Sequence, residues 1–287
     1  MGLRKLLGIK KRVPAFKQVK VGNYSLLANG IHPVEDNLYH NKYYSRNLPR
    51  IAKYMKSKYP VFGIIDIGAN IGDTVALIRS EGVDQHVYSV EGEPTYLGML
   101  KQNLSLFKDV TLFETFLGDT TDKLVGSTEV TDGTARFNKD AAAQIEVKKL
   151  DDLAKENNLQ NIKLLKIDTD GYDFKILRGS FEFVKEQTPV IFFEYDAVYL
   201  ELQGESGTDV FDSLYSLGYE TALFYDNYGK LLLSVNTNNT ATITQLYNYM
   251  RKKSGAFPYY DVCVFHKSDD ALANEILEKE TAYFAAN

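Results

Sequence analysis

Between residues 61 and 196 the chain alternates short apolar runs with stretches of helical period. Residues 61–67 are almost continuously apolar, which suits a strand buried on both faces. Residues 71–80 follow with helical spacing. Residues 86–90 and 110–117 read as strands on either side of a helix at 94–106, with Pro94 suited to its first turn. Further strands are predicted at 163–167 and 190–193, and helices at 151–157, 172–185 and 209–217. Strands at 219–225, 230–235 and 261–266 precede a last helix at 271–279. Strand–helix alternation on this scale predicts an α/β chain with a mostly parallel sheet and helices on both faces. The late strands lack long intervening helices and so predict an antiparallel edge.

The flanks divide the chain. Residues 1–59 are read as a basic leader followed by a helical and aromatic segment, with a helix at 48–58 stopped by Pro60. Residues 60–268 form the main domain, residues 269–287 a C-terminal helix. Within the main domain, residues 118–149 are polar, and alternation at 144–148 marks a hairpin insertion.

Charge sharpens the picture. The 287 residues hold 33 basic and 38 acidic side chains. Seven of the bases, and no acid, fall in residues 1–20, so the body carries −12. An acidic body argues against nucleic acid as a partner, which demands a broad basic footprint. No run reaches the ~20 apolar residues of a membrane helix, and the leader lacks a signal-peptide apolar core. With only Cys263 there is no intrachain disulfide and no cysteine zinc cluster, so the expected compartment is the cytoplasm. The leader reads as a solvated tail, as a peripheral contact of residues 1–20 with an anionic membrane, or as a guide for an acidic substrate.

The strongest local signal is Asp66-Ile67-Gly68-Ala69-Asn70-Ile71-Gly72-Asp73-Thr74, between the first buried strand and the first helix. Its glycines allow a tight turn and close approach of a ligand to the backbone. The helix start beyond offers free N–H groups to an anion. Glu91 ends the second strand, at the spacing where doubly wound folds hold a ribose hydroxyl pair. The loop spells neither GxGxxG nor a P-loop, which favours an adenosine-type cofactor over a dinucleotide. The plain alternative is that the glycines only turn the chain.

The stretches IIDIGANIGDTV (64–75), VYSVEGEP (87–94), FLGD (116–119), LLKIDTDGYDFKILRGS (164–180) and PVIFFEYD (189–196) resemble the FkbM family of class I S-adenosylmethionine-dependent methyltransferases. The family's usual Glu is Asp170 here. The resemblance implies a Rossmann-like, seven-stranded sheet and S-adenosylmethionine as cofactor. By position it puts Gly68, Ala69, Asn70, Asp73 and Thr74 around the methionine part, counts Asp66 and Gly72 among the cofactor-binding residues, and puts Glu91 at the ribose, Gly92 at the adenine edge and Asp119 at the adenine amino group. It also implies O-methylation of a hydroxyl on a sugar, glycan, glycolipid or related small molecule. A nicotinamide-dependent oxidoreductase and a non-catalytic cofactor-binding scaffold are the alternatives.

An alcohol acceptor has a high pKa and calls for a base or a metal. Asp168, Asp170 and Glu194 fall at the carboxyl ends of the fourth and fifth strands, the ligand edge of open α/β sheets. One of them can be the base; alternatively the three bind a divalent cation, the less favoured reading. Asp170 or Asp173 can instead cap the following helix. His40, in the aromatic segment, is a further candidate base.

Overall fold

The computed structural model describes residues 16–131, 133–138, 143–251 and 259–286. Most of the basic leader, including any helix within residues 2–9, lies outside them. The described chain opens with a hairpin of β1 (Phe16–Val21) and β2 (Tyr24–Asn29), then α1 (Val34–His40) and α2 (Asn47–Met55). The alternation proper runs β3 (Gly63–Ile67), α3 (Asp73–Ser80), β4 (His86–Glu91), α4 (Pro94–Leu104) and β5 (Val110–Glu114). The insertion holds β6 (Phe116–Leu117), β7 (Asp122–Val125), β8 (Ser127–Thr131), β9 (Thr134–Asn138) and β10 (Gln144–Lys148). Then come α5 (Leu150–Glu156), β11 (Ile162–Ile167), α6 (Asp173–Arg178), α7 (Phe181–Gln187), β12 (Val190–Tyr195), α8 (Ala197–Leu202) and α9 (Asp209–Ser216). The chain finishes with β13 (Tyr219–Asp226), β14 (Leu231–Asn236), α10 (Thr240–Arg251), β15 (Tyr260–His266) and α11 (Asp270–Ala286).

The main sheet has eight strands in the order β14-β13-β15-β12-β11-β3-β4-β5. The five strands from β12 to β5 are mutually parallel, and β15 and β14 run against their neighbours. This is the expected Rossmann-like architecture: seven strands, with β14 added as an antiparallel edge. Chain order reverses between β3 and β11, and such a switch opens a crevice at the carboxyl ends of the strands.

Two-sided burial explains why the central strands read as unbroken apolar runs. Successive side chains of a strand point to opposite faces. Ile65, Ile67, Leu165, Ile167, Ile191 and Phe193 pack with α5–α10 on one face, whereas Ile64, Leu164, Val190 and Phe192 pack with α2, α3, α4 and α11 on the other. A third cluster joins the β1–β2 hairpin, through Val19, Val21, Leu26 and Ala28, to α3 and α4. The helical reading of the N-terminal segment therefore misses a hairpin. Phe16–Val21 alternates outward Phe16, Gln18 and Lys20 with inward Val19 and Val21, and Gly22 makes the turn at φ 58°.

The C-terminal helix is locked to the N-terminal segment by one buried ion pair. Arg50 of α2 meets both carboxylate oxygens of Glu280 at 2.7 Å, and its guanidinium lies over the ring of Tyr283. The two side chains are 5% and 0% exposed. Removing one partner leaves a buried charge without compensation, which typically costs about 3–5 kcal/mol. Glu280→Ala is therefore expected to lower unfolding stability by that amount in urea titration; a loss below about 1 kcal/mol would contradict the assignment.

Candidate functional site

The turn after β3 is built by contacts a side chain would obstruct. Gly68 sits at φ +76°, and a Cβ there would lie 2.0 Å from the carbonyl oxygen of Asp168. The Gly68 and Ala69 N–H groups donate to Val90 O at the end of β4. Gly72, at φ +87°, starts α3 with no side chain capping its N–H groups. Between them Asn70 holds three segments together. Its N–H donates to Glu91 Oε2 (2.9 Å), its Nδ2 to Gly133 O (2.8 Å), and its Oδ1 meets His32 Nε2 (3.1 Å). Val34 N–H donates to His32 Nδ1, so the proton facing Asn70 is on Nε2.

Glu91 is clamped by backbone. Its Oε1 accepts from Gly92 N (2.9 Å) and Glu93 N (2.8 Å). Burial raises its pKa, and the three N–H donors oppose that shift. A carboxylate so held has fixed direction and retains lone pairs for further donors.

Lys166 of β11 lies in register beside Asp66 of β3. Its ammonium is 3.0 Å from Asp66 Oδ1 and 3.5 Å from Asp168 Oδ2, and it donates to Gly68 O. Burial works against the charge, but Asp66, Asp168 and Asp73 hold the ammonium well above the ordinary lysine range. Asp66 is thus beneath the site, holding Lys166, and does not line either cavity described below.

Two clefts flank this turn. The first, about 770 Å³, is mainly apolar, with Val90, Phe116, Phe137, Val147 and Ile176 in its wall and Glu91 and Gly92 at one end. The insertion forms much of that wall. Its β8–β9 hairpin is tied down by Thr128 donating to Glu93 Oε2 and by the Gly133 bond to Asn70. The second cleft, about 1510 Å³, is acidic: Asp73, Asp168, Asp170, Glu194, Asp196 and Asp261 all face it. Among the described residues, only Gly68, Asn70, Asp168 and Asp170 line both.

The structure therefore brings together Gly68, Asn70, Asp73, Thr74, Glu91, Gly92, Asp168, Asp170 and Glu194. Ala69 and Gly72 shape the turn without lining a cleft. Besides Asp66, two expected residues lie elsewhere. His40 is exposed at the end of α1, its ring against Tyr39. His32, eight positions earlier, reaches the acidic cleft in its place. Asp119 is outside the apolar cleft and faces Lys175 (4.0 Å) and Arg178 (3.9 Å). Nor does Asp170 cap α6 (φ 51°): the N-cap position is Tyr172, while Asp173 turns back to accept from Gly171 N. Among the described residues no three carboxylates or imidazoles converge as a metal centre.

Asn227, Tyr259 and Asp261 also line the acidic cleft and escape the sequence reading. Asp261 carries the same signal as Asp168, an acid bordering a buried strand. It begins its strand, however, and only the antiparallel direction of β15 brings that end to the ligand edge.

The fold and crevice define a Rossmann-like α/β protein whose ligand edge carries a nucleoside-type loop and acid. The sequence profile of the Methyltransferase FkbM domain matches residues 66–221, more than half the chain, and the chain belongs to that family. No curated protein matches it. Among solved structures it is similar to Methyltransferase FkbM from Methylobacillus flagellatus, with 18% identity and a TM-score of 0.37 over 55% of this chain. The chain spans 36% of that relative's length. It is also similar to the fibrillarin pre-rRNA processing protein of Methanococcus jannaschii, with 10% identity, TM-score 0.41, and 90% and 85% of the two chains covered. A putative caffeoyl-CoA O-methyltransferase from Staphylococcus aureus matches at 14% identity and TM-score 0.36, covering 76% and 82%.

Asp261 is a measurable reporter of the acidic cleft. Burial pushes its carboxyl up to about 7, with Asn47 donating to it and Asp168 and Asp226 adding repulsion. The folded chain keeps a proton that the unfolded chain releases above the ordinary carboxyl range. Stability must therefore fall as pH rises toward 7. Asp261→Asn is expected to shrink the drop in melting temperature between pH 5 and 8 by about 2–4 °C. An undiminished drop would count against this burial.

Proposed function

We propose that the chain is an S-adenosylmethionine-dependent O-methyltransferase acting on a hydroxyl of a sugar, glycan or related small molecule. The observation that carries this reading is the meeting of an apolar and an acidic cleft over Gly68, Asn70, Asp168 and Asp170. Transfer between two ligands needs two compartments that touch at one point, and much of the rate comes from that alignment.

The residues present fit the cofactor. The apolar walls suit an adenine, with Gly92 at its edge. Glu91, with its carboxylate fixed by three N–H groups, suits a pair of ribose hydroxyls. The Gly68–Asn70 turn, Asp73 and Thr74 suit the amino-acid part. When bound, S-adenosylmethionine supplies an electrophilic methyl group on a sulfonium. The chain's own task is to place a hydroxyl and remove its proton. Asp168 is the base in this proposal: it lines both clefts, its side chain is 53% exposed to them, and Lys166 fixes its position. Glu194 also lines the acidic cleft and orients the acceptor. Among the described residues no helix is long and apolar enough to cross a membrane; nothing in the proposal requires one.

Isothermal titration with S-adenosylhomocysteine tests the cofactor half. The parent chain is expected to bind. Gly68→Val drives a side chain into Asp168 O and Glu91→Ala removes the ribose acceptor, so each should weaken binding at least tenfold, roughly the cost of a lost charge-assisted hydrogen bond. Parent-like binding by both variants, or binding of NAD and not of S-adenosylhomocysteine, would overturn the reading.

A further inference from the structure

Among the described residues, one lysine and no arginine line the acidic cleft. Its one lysine, Lys166, is already engaged by Asp66, Asp168 and Gly68 O. Some of its acids have partners: Asp261 Oδ2 accepts from Asn47 Nδ2 (2.6 Å), and Asp196 Oδ1 accepts from Val198 N and Tyr199 N at the start of α8. Two buried acceptors do not. Glu194 Oε2 and Asn227 Oδ1 have no hydrogen-bond partner among the described residues, and Asn227 is only 9% exposed. Both residues line the cleft. A buried acceptor without a donor costs about 1–3 kcal/mol, so a ligand that supplies donors at these two atoms gains what the empty fold lacks.

The chemistry of that ligand follows. A neutral hydroxyl brings one donor but also lone pairs that ask for donors in return. A protonated amine brings three donors and no acceptor, and its charge is attracted by the surrounding carboxylates. A phosphate, sulfate or carboxylate brings only acceptors and like charge. We infer that the acceptor is a polyol bearing a protonated amine, its ammonium seated against Glu194, and that anionic polyols are rejected. The inference rests on the methyltransferase reading in one respect only: it takes the acidic cleft as the acceptor half. The electrostatics agree. Burial first, then Asp168, Asp170, Asp173 and Asp196, drives the Glu194 carboxyl toward its neutral form in the empty cleft. An ammonium beside it opposes that drive.

Glucosamine, N-acetylglucosamine and glucosamine 6-phosphate differ in the features at issue. Their dissociation constants from the full chain are measured by NMR titration. Glucosamine is expected to bind at least tenfold more tightly than either derivative. Glu194→Gln, nearly isosteric and checked for folding by its melting curve, should reduce the preference to threefold or less. Equal or better binding of either derivative, no binding of glucosamine, or an undiminished preference in Glu194→Gln would overturn the inference. The comparison within the parent chain decides the question even if the variant fails to fold. S-adenosylhomocysteine titrated in the same samples separates the two readings. Its binding without an amine preference rejects only this inference, whereas its failure to bind rejects the methyltransferase reading.

Discussion

The ammonium of Lys166 sits where β3, β11 and the turn after β3 converge, and it is 4% exposed. It neutralises Asp66, which is wholly buried, and reaches Asp168 at the rim of both clefts. Neither buried charge is tolerable alone, because ions leave water at a cost of several kcal/mol unless paired. The pair is therefore a constraint on register. Lys166 stands opposite Asp66, and one residue of slip between β11 and β3 would turn Lys166 toward the other face. With register fixed, the Gly68 carbonyl meets the ammonium and Gly68 packs against Asp168 O, where no side chain fits.

The remaining architecture distributes labour around that point. The parallel strands bring their carboxyl ends to one edge, and the insertion and the N-terminal segment then roof different halves of it. Asn70 couples the two roofs, since its side chain touches His32 from one and Gly133 from the other, while its backbone holds Glu91. A single asparagine in a left-handed conformation thus sets the distance between the ribose-type acid and both covers. The division into an apolar and an acidic cleft is a consequence of which segment covers which half.

Features buried on both faces were legible in the sequence. The runs at 61–67, 163–167 and 190–193 declared β3, β11 and β12 because every position in them except Val61 and Lys163 is buried. The turn and Glu91 were legible because their chemistry depends on spacing along consecutive elements. What escaped depends on tertiary choices with no local signature. The β1–β2 hairpin hid within a basic leader, since only Val19 and Val21 of β1 are buried and Lys17 and Lys20 stand among them. His40 and His32 share one polar, aromatic segment, and only the packing of α1 decides which of them turns inward. The insertion was legible as a hairpin but not as a cover, because its inward residues, such as Phe137 and Ile145, are spaced among polar ones. Asp261 became a cleft residue only through the direction of β15.

The central claim is that one ligand is held under the insertion and another among the acids, and that they meet over Gly68, Asn70, Asp168 and Asp170. A crystal structure of the chain with S-adenosylhomocysteine bound tests this most directly. The account predicts the adenine among Val90, Phe116 and Phe137, the ribose hydroxyls on Glu91, and the sulfur at the four shared residues facing Asp168. An adenine in the acidic cleft, or a sulfur directed away from Asp168, would contradict it.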